Sequence, residues 1–277
     1  MINLKIFNFY IFNIENYINH LTGINKIYLK LLKKFLNYHI KLILIYKKKA
    51  LIISTVKSSG HQQMSIDIDL LEKTISNNNI LFTLRFYLWE GNWISIGFHQ
   101  KNYPEHWKDL REKGLINIVR RPSGGGAVLH SGGITYALTF NKPEYKKFSY
   151  QFVNIWLIKS FALLGITLKN GSVKKGSIKE NCFGTNYISD LVDENGNKRI
   201  GSAQYWKKGS FLQHGEIQLN PPFDLWTKIF GQIPPQPFGL KLSNEKIIKH
   251  LENSFLENYS DSSIENIFLK PFEITKY

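Results

Sequence analysis

One short stretch of the sequence combines residue types that could bind an anion or an activated carbonyl group. It is RRPSGGGAVLH (120–130), where Arg120 and Arg121 precede three consecutive glycines and an apolar run. Glycine loses more backbone freedom on folding than any other residue, so a triplet indicates either a loose surface hairpin or a loop whose backbone approaches a ligand closely. Backbone N–H groups of such a loop can bind an anion or a carbonyl oxygen, and arginines can add charge-assisted hydrogen bonds.

The single cysteine of the chain, Cys182, is a candidate nucleophile. A lone cysteine is more often a small buried apolar residue than a reactive one. Its surroundings favour reactivity, because it follows a Gly/Ser/Lys-rich loop (170–181) and precedes a predicted strand that begins with Lys198. A lysine near a thiol stabilises the thiolate, which is the reactive form. Without such a neighbour, Lys198 would be an ordinary solvated lysine at a strand end.

A third stretch, GSAQYWKKGSFLQHGEI (201–217), places Gly201, Ser202 and Ala203 in the middle of a predicted strand. Small residues at such positions often mark the close approach of a backbone or a ligand. His214 in the next strand could face that ligand. The alternative is a histidine that is hydrogen-bonded in the core.

The usual phosphate and metal motifs are missing from the sequence. The glycine triplet matches neither a Walker A loop nor the dinucleotide-binding fingerprint, since Leu129 stands where the latter requires its last glycine. The eight histidines are scattered, and Cys182 has no cysteine partner, so no metal site is predicted. A Gly-x-Ser-x-Gly nucleophile elbow is also missing.

Charge is distributed unevenly along the 277 residues, which carry a net charge of +15. Residues 1–50 contain nine lysines and one acidic residue, Glu15, and so hold more than half of that charge. We interpret 1–50 as a basic N-terminal extension in which apolar residues recur at helical spacing. It either binds a membrane surface or partner or is dispensable. Residues 51–277 form the predicted catalytic domain. One cysteine allows no intramolecular disulfide, and no apolar run approaches the roughly 20 residues of a membrane span, so a cytoplasmic protein is expected.

The hydrophobic pattern predicts alternating short strands and helices from residue 51 onwards. Helices are predicted over 64–75, 149–166 and 243–259, the last with Ser243 as its N-cap. Asn195-Gly196 predicts a hairpin turn between strands 187–192 and 198–206. Further strands are predicted over 51–56, 82–89, 93–98, 116–121, 134–140 and 211–219. The fold class is therefore α/β (α+β), with helices around one mixed, largely antiparallel sheet.

Taken together, the motifs resemble the lipoate–protein ligase and octanoyltransferase superfamily. The segments that carry the resemblance are MSIDIDLL (64–71), WISIGFHQ (93–100), RRPSGGGAVLH (120–130), CF (182–183), NGNKRIGSAQ (195–204) and LQHGEI (212–217). It implies the biotin/lipoate ligase type of fold, with Cys182 and Lys198 as catalytic residues. The substrate-binding residues it implies are Arg120, Arg121, Ser123, Gly124, Gly125, Gly126, Ala127, His130, Gly201, Ser202, Ala203 and His214.

Within that superfamily, Cys182 followed by the Lys198 motif is most similar to the cysteine-dependent octanoyltransferases. The resemblance implies that Cys182 takes an octanoyl or lipoyl group from acyl carrier protein, and that a lysine of a lipoyl-domain protein then collects it. The glycine cleavage H protein and the E2 subunit of 2-oxoacid dehydrogenases are the implied acceptors. Lys198 would lower the pKa of the thiol and accept a proton from the incoming amine. No cofactor, nucleic acid or membrane span is expected, and the protein is expected to be a monomer.

Two alternatives remain open at this stage. An ATP-dependent lipoate or octanoate ligase would act through an acyl-adenylate, would need ATP and Mg²⁺, and would not need Cys182. A non-enzymatic basic binding protein for RNA or a membrane would work through residues 1–50, and its binding would depend steeply on salt. One departure from the family pattern is that Ser131 stands where relatives often carry an acidic residue after the loop histidine.

Overall fold

Two β-sheets organise the chain in a computed structural model that describes residues 48–142, 149–171, 189–259 and 264–270. The larger sheet has eight strands in the order β11-β1-β2-β6-β10-β9-β8-β7, and the smaller has three in the order β4-β3-β5. The strands are β1 (Lys48–Ser58), β2 (Ile80–Trp89), β3 (Trp93–Ile96), β4 (Asn117–Arg120), β5 (Val128–His130), β6 (Ile134–Phe140), β7 (Lys169–Asn170), β8 (Leu191–Val192), β9 (Lys198–Lys207), β10 (Ser210–Ile217) and β11 (Ile264–Leu269).

Within the larger sheet, β1 runs parallel to both β11 and β2, and every other neighbouring pair is antiparallel. The prediction of a mixed, largely antiparallel sheet is therefore confirmed. The helices are α1 (Gly60–Ser76), α2 (His106–Glu112), α3 (Ser149–Leu163), α4 (Phe223–Phe230) and α5 (Asn244–Tyr259).

The main hydrophobic core lies between the larger sheet and helices α3 and α5. Trp156 of α3 packs edge-on against Phe255 of α5 and against Tyr136 of β6. Helix α3 is rich in apolar residues along its whole length, which is typical of a helix buried on more than one side. This core supports the face of the larger sheet that packs against α3 and α5. The opposite face is therefore available for the side chains of a site.

Helix α1 covers that other face. It begins at the N-cap Ser59, whose side chain accepts a hydrogen bond from the backbone N–H of Gln62. Its inward residues are mostly apolar, but Asp67 is fully buried among them. A buried carboxylate needs a charged or hydrogen-bonding partner, and its partners define the candidate site described below.

The three-stranded sheet positions the glycine loop. β3 lies in the middle, with β4 parallel to it on one side and β5 antiparallel to it on the other. Trp107 of α2 and Trp226 of α4 pack in one apolar cluster with residues of β3. Because β4 and β5 are separated by β3, the loop that joins them must cross the end of β3.

The predicted helices over 64–75, 149–166 and 243–259 correspond to α1, α3 and α5, and Ser243 accepts a hydrogen bond from the N–H of Lys246 as an N-cap. Helix α4, by contrast, corresponds to no predicted helix, because Pro221 and Pro222 directly before it are typical of a loop. Pro222 is its N-cap and Gly231, with φ of 65°, ends it. Strand β1 already starts at Lys48, so residues 48–50 join the sheet rather than the extension. The rest of the extension, residues 1–47, lies outside the described residues.

Candidate active site

The glycine loop crosses the carboxyl end of β3 at very short range. The N–H of Phe98 donates to the carbonyl of Ser123 at 2.9 Å. A Cβ added to Gly97 would lie 1.9 Å from the carbonyl oxygen of Gly125, so only glycine fits at residue 97. Gly125 has φ of 96°, a left-handed conformation that glycine adopts at little cost. The loop is therefore a crossover between two strands, and the interpretation as a loose hairpin is wrong.

Gly124 differs from its neighbours in the loop. A Cβ added there would meet no atom of the described chain within 4 Å, so packing within the protein does not require glycine at this position. The loop is thus open on the side of Gly124. Ala127, at the end of the loop, is fully buried against the β3 side of the small sheet.

The two arginines hold the loop itself in shape. Arg121 is buried, and its guanidinium donates to the carbonyl oxygens of Ser95 at 2.8 Å, of Gly124 at 2.7 Å and of Gly126 at 2.7 Å. Arg120 donates to three carbonyl oxygens in the turn after β3, those of residues 97, 98 and 100. These hydrogen bonds to backbone carbonyl oxygens hold the loop against β3 and the turn that follows it. Arg120 is exposed to solvent, whereas Arg121 is buried.

Ser123, His214 and Asp67 form a continuous line of hydrogen bonds behind the loop. The Oγ atom of Ser123 lies 2.5 Å from Nε2 of His214, and Nδ1 of the same ring lies 3.0 Å from Oδ2 of Asp67. All three side chains are buried. The structure thus brings together two residues that the sequence placed in the site and adds a carboxylate from helix α1.

Asp67 is held ionised by its surroundings. Nε of Arg85 donates to Oδ1 of Asp67 at 2.9 Å, and the hydroxyl of Tyr87 donates to Oδ2 at 3.1 Å. Burial alone would raise the pKa of Asp67, but the charge of Arg85 and the hydrogen bond to His214 outweigh burial and hold that pKa below its ordinary value. The carboxylate is therefore a hydrogen-bond acceptor for the His214 ring.

His130 belongs to a second, similar set on the neighbouring strands. Its Nδ1 lies 2.8 Å from Oε2 of Glu216, its Nε2 lies 2.8 Å from Oγ of Ser95, and Trp89 stacks on the ring at 3.9 Å. Burial lowers the pKa of His130, although the Glu216 carboxylate opposes that effect. The neutral ring donates to Glu216 and accepts from Ser95, so His130 is fully engaged with the chain.

The small residues of β9 lie opposite members of both histidine sets on the neighbouring strand β10. Ala203 is opposite His214, and Gly201 is opposite Glu216. Ser202 pairs with Gly215 instead and points to the other face, where its Oγ lies 2.7 Å from the hydroxyl of Tyr136. Because side chains alternate along a strand, Gly201 and Ala203 face the loop side and Ser202 does not.

Lys198 forms a buried ion pair at the start of β9. Its Nζ atom lies 2.8 Å from Oδ2 of Asp190, and both side chains are almost completely buried. Lys198 is therefore not the solvated lysine at a strand end that its sequence position alone would suggest. Cys182 lies outside the described residues, so the predicted proximity of Cys182 to Lys198 stays a prediction.

Sequence reasoning missed the charged partners of this site, namely Asp67, Arg85, Asp190 and Glu216. Two of them left a signal. Asp67 shares one helix face with Gln63, Leu70 and Leu71, where an apolar residue would be expected. Arg85 interrupts the apolar strand FTLRFYLW (82–89). A charged residue in a buried position usually has a buried partner of opposite charge.

Within the ranges that the structure describes, no group of three histidine, cysteine or carboxylate side chains could hold a metal ion. In the same ranges, no helix is both long enough and apolar enough to cross a membrane.

Comparison with known proteins places this geometry in a family. Residues 59–252 match the model of the lipoyl protein ligase A/B catalytic domain. The chain is 30% identical to octanoyltransferase LipM of Macrococcus caseolyticus over 252 residues, which cover 81% of this chain and 90% of that protein. It is 35% identical over 199 residues to octanoyltransferase LipM of Clostridioides difficile, covering 69% of this chain and 72% of that protein.

Solved structures share the fold at lower identity. A crystal structure of lipoate-protein ligase A bound with ATP superposes with a TM-score of 0.61 at 18% identity, covering 83% of this chain and 93% of that one. Plasmodium falciparum LipL1 in complex with lipoate superposes with a TM-score of 0.60 at 21% identity, covering 82% of this chain and 68% of that one. The architecture and the family match agree, and the chain belongs to the lipoyl protein ligase A/B catalytic domain family as an acyltransferase.

Proposed function

We propose that the protein transfers an octanoyl group from acyl carrier protein, through a thioester on Cys182, to a lysine of a lipoyl-domain protein. The observation that carries this proposal is its similarity, along most of its length, to relatives named octanoyltransferase LipM. The sequence supports it further, since the segments that contain Cys182 and Lys198 resemble those of the cysteine-dependent octanoyltransferases.

The reaction divides into two steps that balance without ATP. In the first step, the Cys182 thiolate attacks the carbonyl carbon of the acyl thioester, an S–C bond forms, and the carrier thiol leaves. In the second step, the neutral amine of the acceptor lysine attacks the new thioester, an amide forms, and Cys182 leaves as a thiolate. Dividing a difficult transfer into two easier steps is the advantage of covalent catalysis. Thioester exchange is nearly neutral in free energy and amide formation is favourable, so no further energy source is required.

The buried Lys198–Asp190 ion pair supports a role for Lys198 next to the thiol. A fixed ammonium group stabilises a nearby thiolate, and Asp190 holds that ammonium in one position. Lys198 also carries its own proton in the ion pair, and an ammonium group has no lone pair. It can accept the proton of the incoming amine only after it has released one, and the Asp190 carboxylate lies within hydrogen-bonding distance for that purpose.

The glycine loop and β9 supply the remaining elements of the site. Backbone N–H groups of residues 124–126 or of strand β9 would stabilise the oxyanion of each tetrahedral intermediate. Gly201 and Ala203 leave space on the loop-facing side of β9 for an apolar acyl chain. A lipoyl-domain protein, such as the glycine cleavage H protein or an E2 subunit, would present the acceptor lysine. The carrier and acceptor are expected to be acidic and therefore complementary to the basic chain.

A reconstituted assay without ATP tests this function. The full chain, octanoyl acyl carrier protein and a lipoyl domain should yield octanoylated domain, and Cys182→Ala should give no product. Free octanoate should not replace the carrier-bound donor. If product instead requires ATP and free acid and survives the Cys182→Ala substitution, the protein is an ATP-dependent ligase and the proposal is wrong.

A further inference from the structure

Ser123, His214 and Asp67 have the arrangement that activates a serine for attack on an acyl carbon. A hydroxyl, an imidazole and a carboxylate follow one another, with separations of 2.5 Å from Ser123 Oγ to His214 Nε2 and 3.0 Å from His214 Nδ1 to Asp67 Oδ2. Hydrogen-bond contact between nucleophile and base, with the base oriented by a third group, is the geometric signature of an activated nucleophile. The Cys182 route, as written above, assigns no bond-forming or proton-transfer step to any of the three residues.

The ionised carboxylate of Asp67 determines which ring nitrogen of His214 carries a proton towards it. This carboxylate can only accept a hydrogen bond, so Nδ1 of His214 carries the proton and donates to it. In the neutral form of the ring, the opposite nitrogen, Nε2, has a lone pair, and Ser123 is then the donor in its contact with His214. This is the tautomer in which a histidine can take the proton of a serine hydroxyl.

Two glycines with candidate backbone donors, Gly124 and Gly125, follow Ser123 directly in the sequence. Within the ranges that the structure describes, the N–H groups of Gly124 and Gly125 donate no hydrogen bond to another residue. An unpaired N–H next to a nucleophile is positioned to bind the oxyanion that forms when the nucleophile attacks a carbonyl group. The loop is also open at Gly124, where an added Cβ would meet no atom of the described chain within 4 Å. The open position and the two donors therefore lie in the residues that directly follow Ser123, whose own side chain is buried.

The second histidine set shows what a purely structural arrangement looks like in the same protein. Ser95 also bonds to a histidine, His130, which is oriented by Glu216. Its Oγ, however, accepts a further bond from Arg121 at 3.2 Å, and it lies within strand β3. Ser123 differs from Ser95 because it stands in a glycine loop and, among the described residues, its hydroxyl has no arginine partner.

We propose that Ser123 is a second acyl-accepting nucleophile of this protein, acting on acyl thioesters and other activated acyl esters independently of Cys182. The Oγ atom attacks the carbonyl carbon as its proton moves to Nε2 of His214, and the oxyanion is held by the N–H groups of Gly124 and Gly125. The C–S or C–O bond to the leaving group breaks, and the leaving group takes the proton from His214. Water then attacks the serine ester by the same route and releases the carboxylic acid.

Arg85 limits the rate of this reaction. Because it is paired with Asp67, it offsets part of the negative charge that would stabilise a protonated His214. The serine is therefore activated less strongly than in a triad whose carboxylate has no cationic partner. We expect a slow hydrolytic side reaction whose clearest sign is covalent labelling rather than turnover.

The test uses the full chain with Cys182→Ala, so that the thiol cannot contribute, and an octyl fluorophosphonate as a probe for activated serines. We expect one label, located on Ser123 and not on Ser95 by peptide mapping. His214→Gln should slow labelling by at least about a hundredfold, the usual contribution of a general base. His250→Gln is the matched control, because the ring of His250, on helix α5, bonds to the carbonyl oxygen of Ser160 on helix α3, at 2.8 Å, and does not belong to the Ser123–His214–Asp67 set. It should label at the parent rate.

The outcomes are distinguishable from those of the proposed function, because Cys182 is missing from every variant. No label on Ser123 in a chain whose thermal unfolding matches that of wild type would overturn the inference. So would labelling of Ser123 that is equally fast with glutamine at residue 214. If both histidine variants unfold at a lower temperature than the Cys182→Ala parent, labelling of the parent still tests the inference. Label on Ser123 supports it, and no label on Ser123 overturns it.

Discussion

The Nζ atom of Lys198 lies 2.8 Å from Oδ2 of Asp190, and both groups are buried. The ion pair fixes the ammonium group of Lys198 at the start of β9, and the proposed function places the Cys182 thiol next to that group. The chain has one cysteine, so the rate of alkylation by iodoacetamide reports on that thiol alone.

We expect Lys198→Ala to move the pH midpoint of Cys182 alkylation upward, towards the ordinary thiol pKa of about 8.5. Lys207→Ala is the matched control, because Lys207 lies on the same strand and pairs with the half-exposed Glu72. The control should keep the wild-type midpoint. A midpoint that is unchanged in Lys198→Ala would show that the lysine does not act on the thiol.

The Arg85–Asp67 pair makes a prediction about stability and pH. Removing one partner of a buried ion pair leaves an uncompensated charge, so Arg85→Met should lower the free energy of unfolding at pH 7 by about 3–5 kcal/mol. In wild type the pKa of Asp67 is depressed, so its stabilising contribution is present above the ordinary value of 3.8 and is lost as pH falls through the lower, folded-state value.

In Arg85→Met the balance at Asp67 reverses, because burial then raises its pKa. The destabilisation is relieved as pH falls and the carboxylate takes up a proton. The difference between wild type and variant should therefore narrow from pH 7 to pH 4, as measured by urea unfolding at each pH. A difference that stays constant or grows would contradict this account of Asp67.

The crossing of the glycine loop over β3 makes a third prediction. Gly97→Ala places a methyl group 1.9 Å from the carbonyl oxygen of Gly125, so the loop backbone must move. We expect a loss of about 1–3 kcal/mol in the free energy of unfolding, the usual cost of overpacking, together with reduced octanoyl transfer.

Gly124→Ala is the comparison for that experiment. The added methyl group meets no atom of the described chain within 4 Å, so thermal unfolding should be unchanged or slightly higher. Transfer activity should nevertheless fall, since the backbone N–H groups of residues 124–126 are proposed to bind the oxyanion of the transferred acyl group. Equal loss of stability in both variants would show that the loop is not held by the contact between residues 97 and 125.

Much of the fold could be predicted from local patterns. The alternating strand around residues 134–140, the long apolar helix α3 and the Asn195-Gly196 turn, where Gly196 has φ of 80°, each carry their own signal. Helix α4 could not be predicted in this way, because it is only eight residues long and follows two prolines. Its formation depends on Trp226 packing against the small sheet, which is a tertiary contact.

The residues of the candidate site likewise fall into those that local patterns indicate and those that only tertiary contacts reveal. Ser123, His130 and His214 could be picked out by their residue types and motifs, but their partners come from distant segments. His214 meets Asp67 across 147 residues of sequence and Ser123 across 91. Such pairs depend on how helix α1, the glycine loop and strand β10 pack together, which is a tertiary arrangement. Charge next to glycine suggested that Arg120 and Arg121 bind substrate. The sequence did not indicate that the guanidinium of Arg121 donates hydrogen bonds to the loop carbonyls.

The central claim is that Cys182 carries the acyl group between donor and acceptor. The most direct measurement is the intact mass of the full chain after incubation with octanoyl acyl carrier protein in the absence of an acceptor and of ATP. The account predicts one octanoyl adduct per chain, located on Cys182, released by neutral hydroxylamine and transferred when a lipoyl domain is added. A chain that forms no such adduct, yet still octanoylates the lipoyl domain, would contradict it.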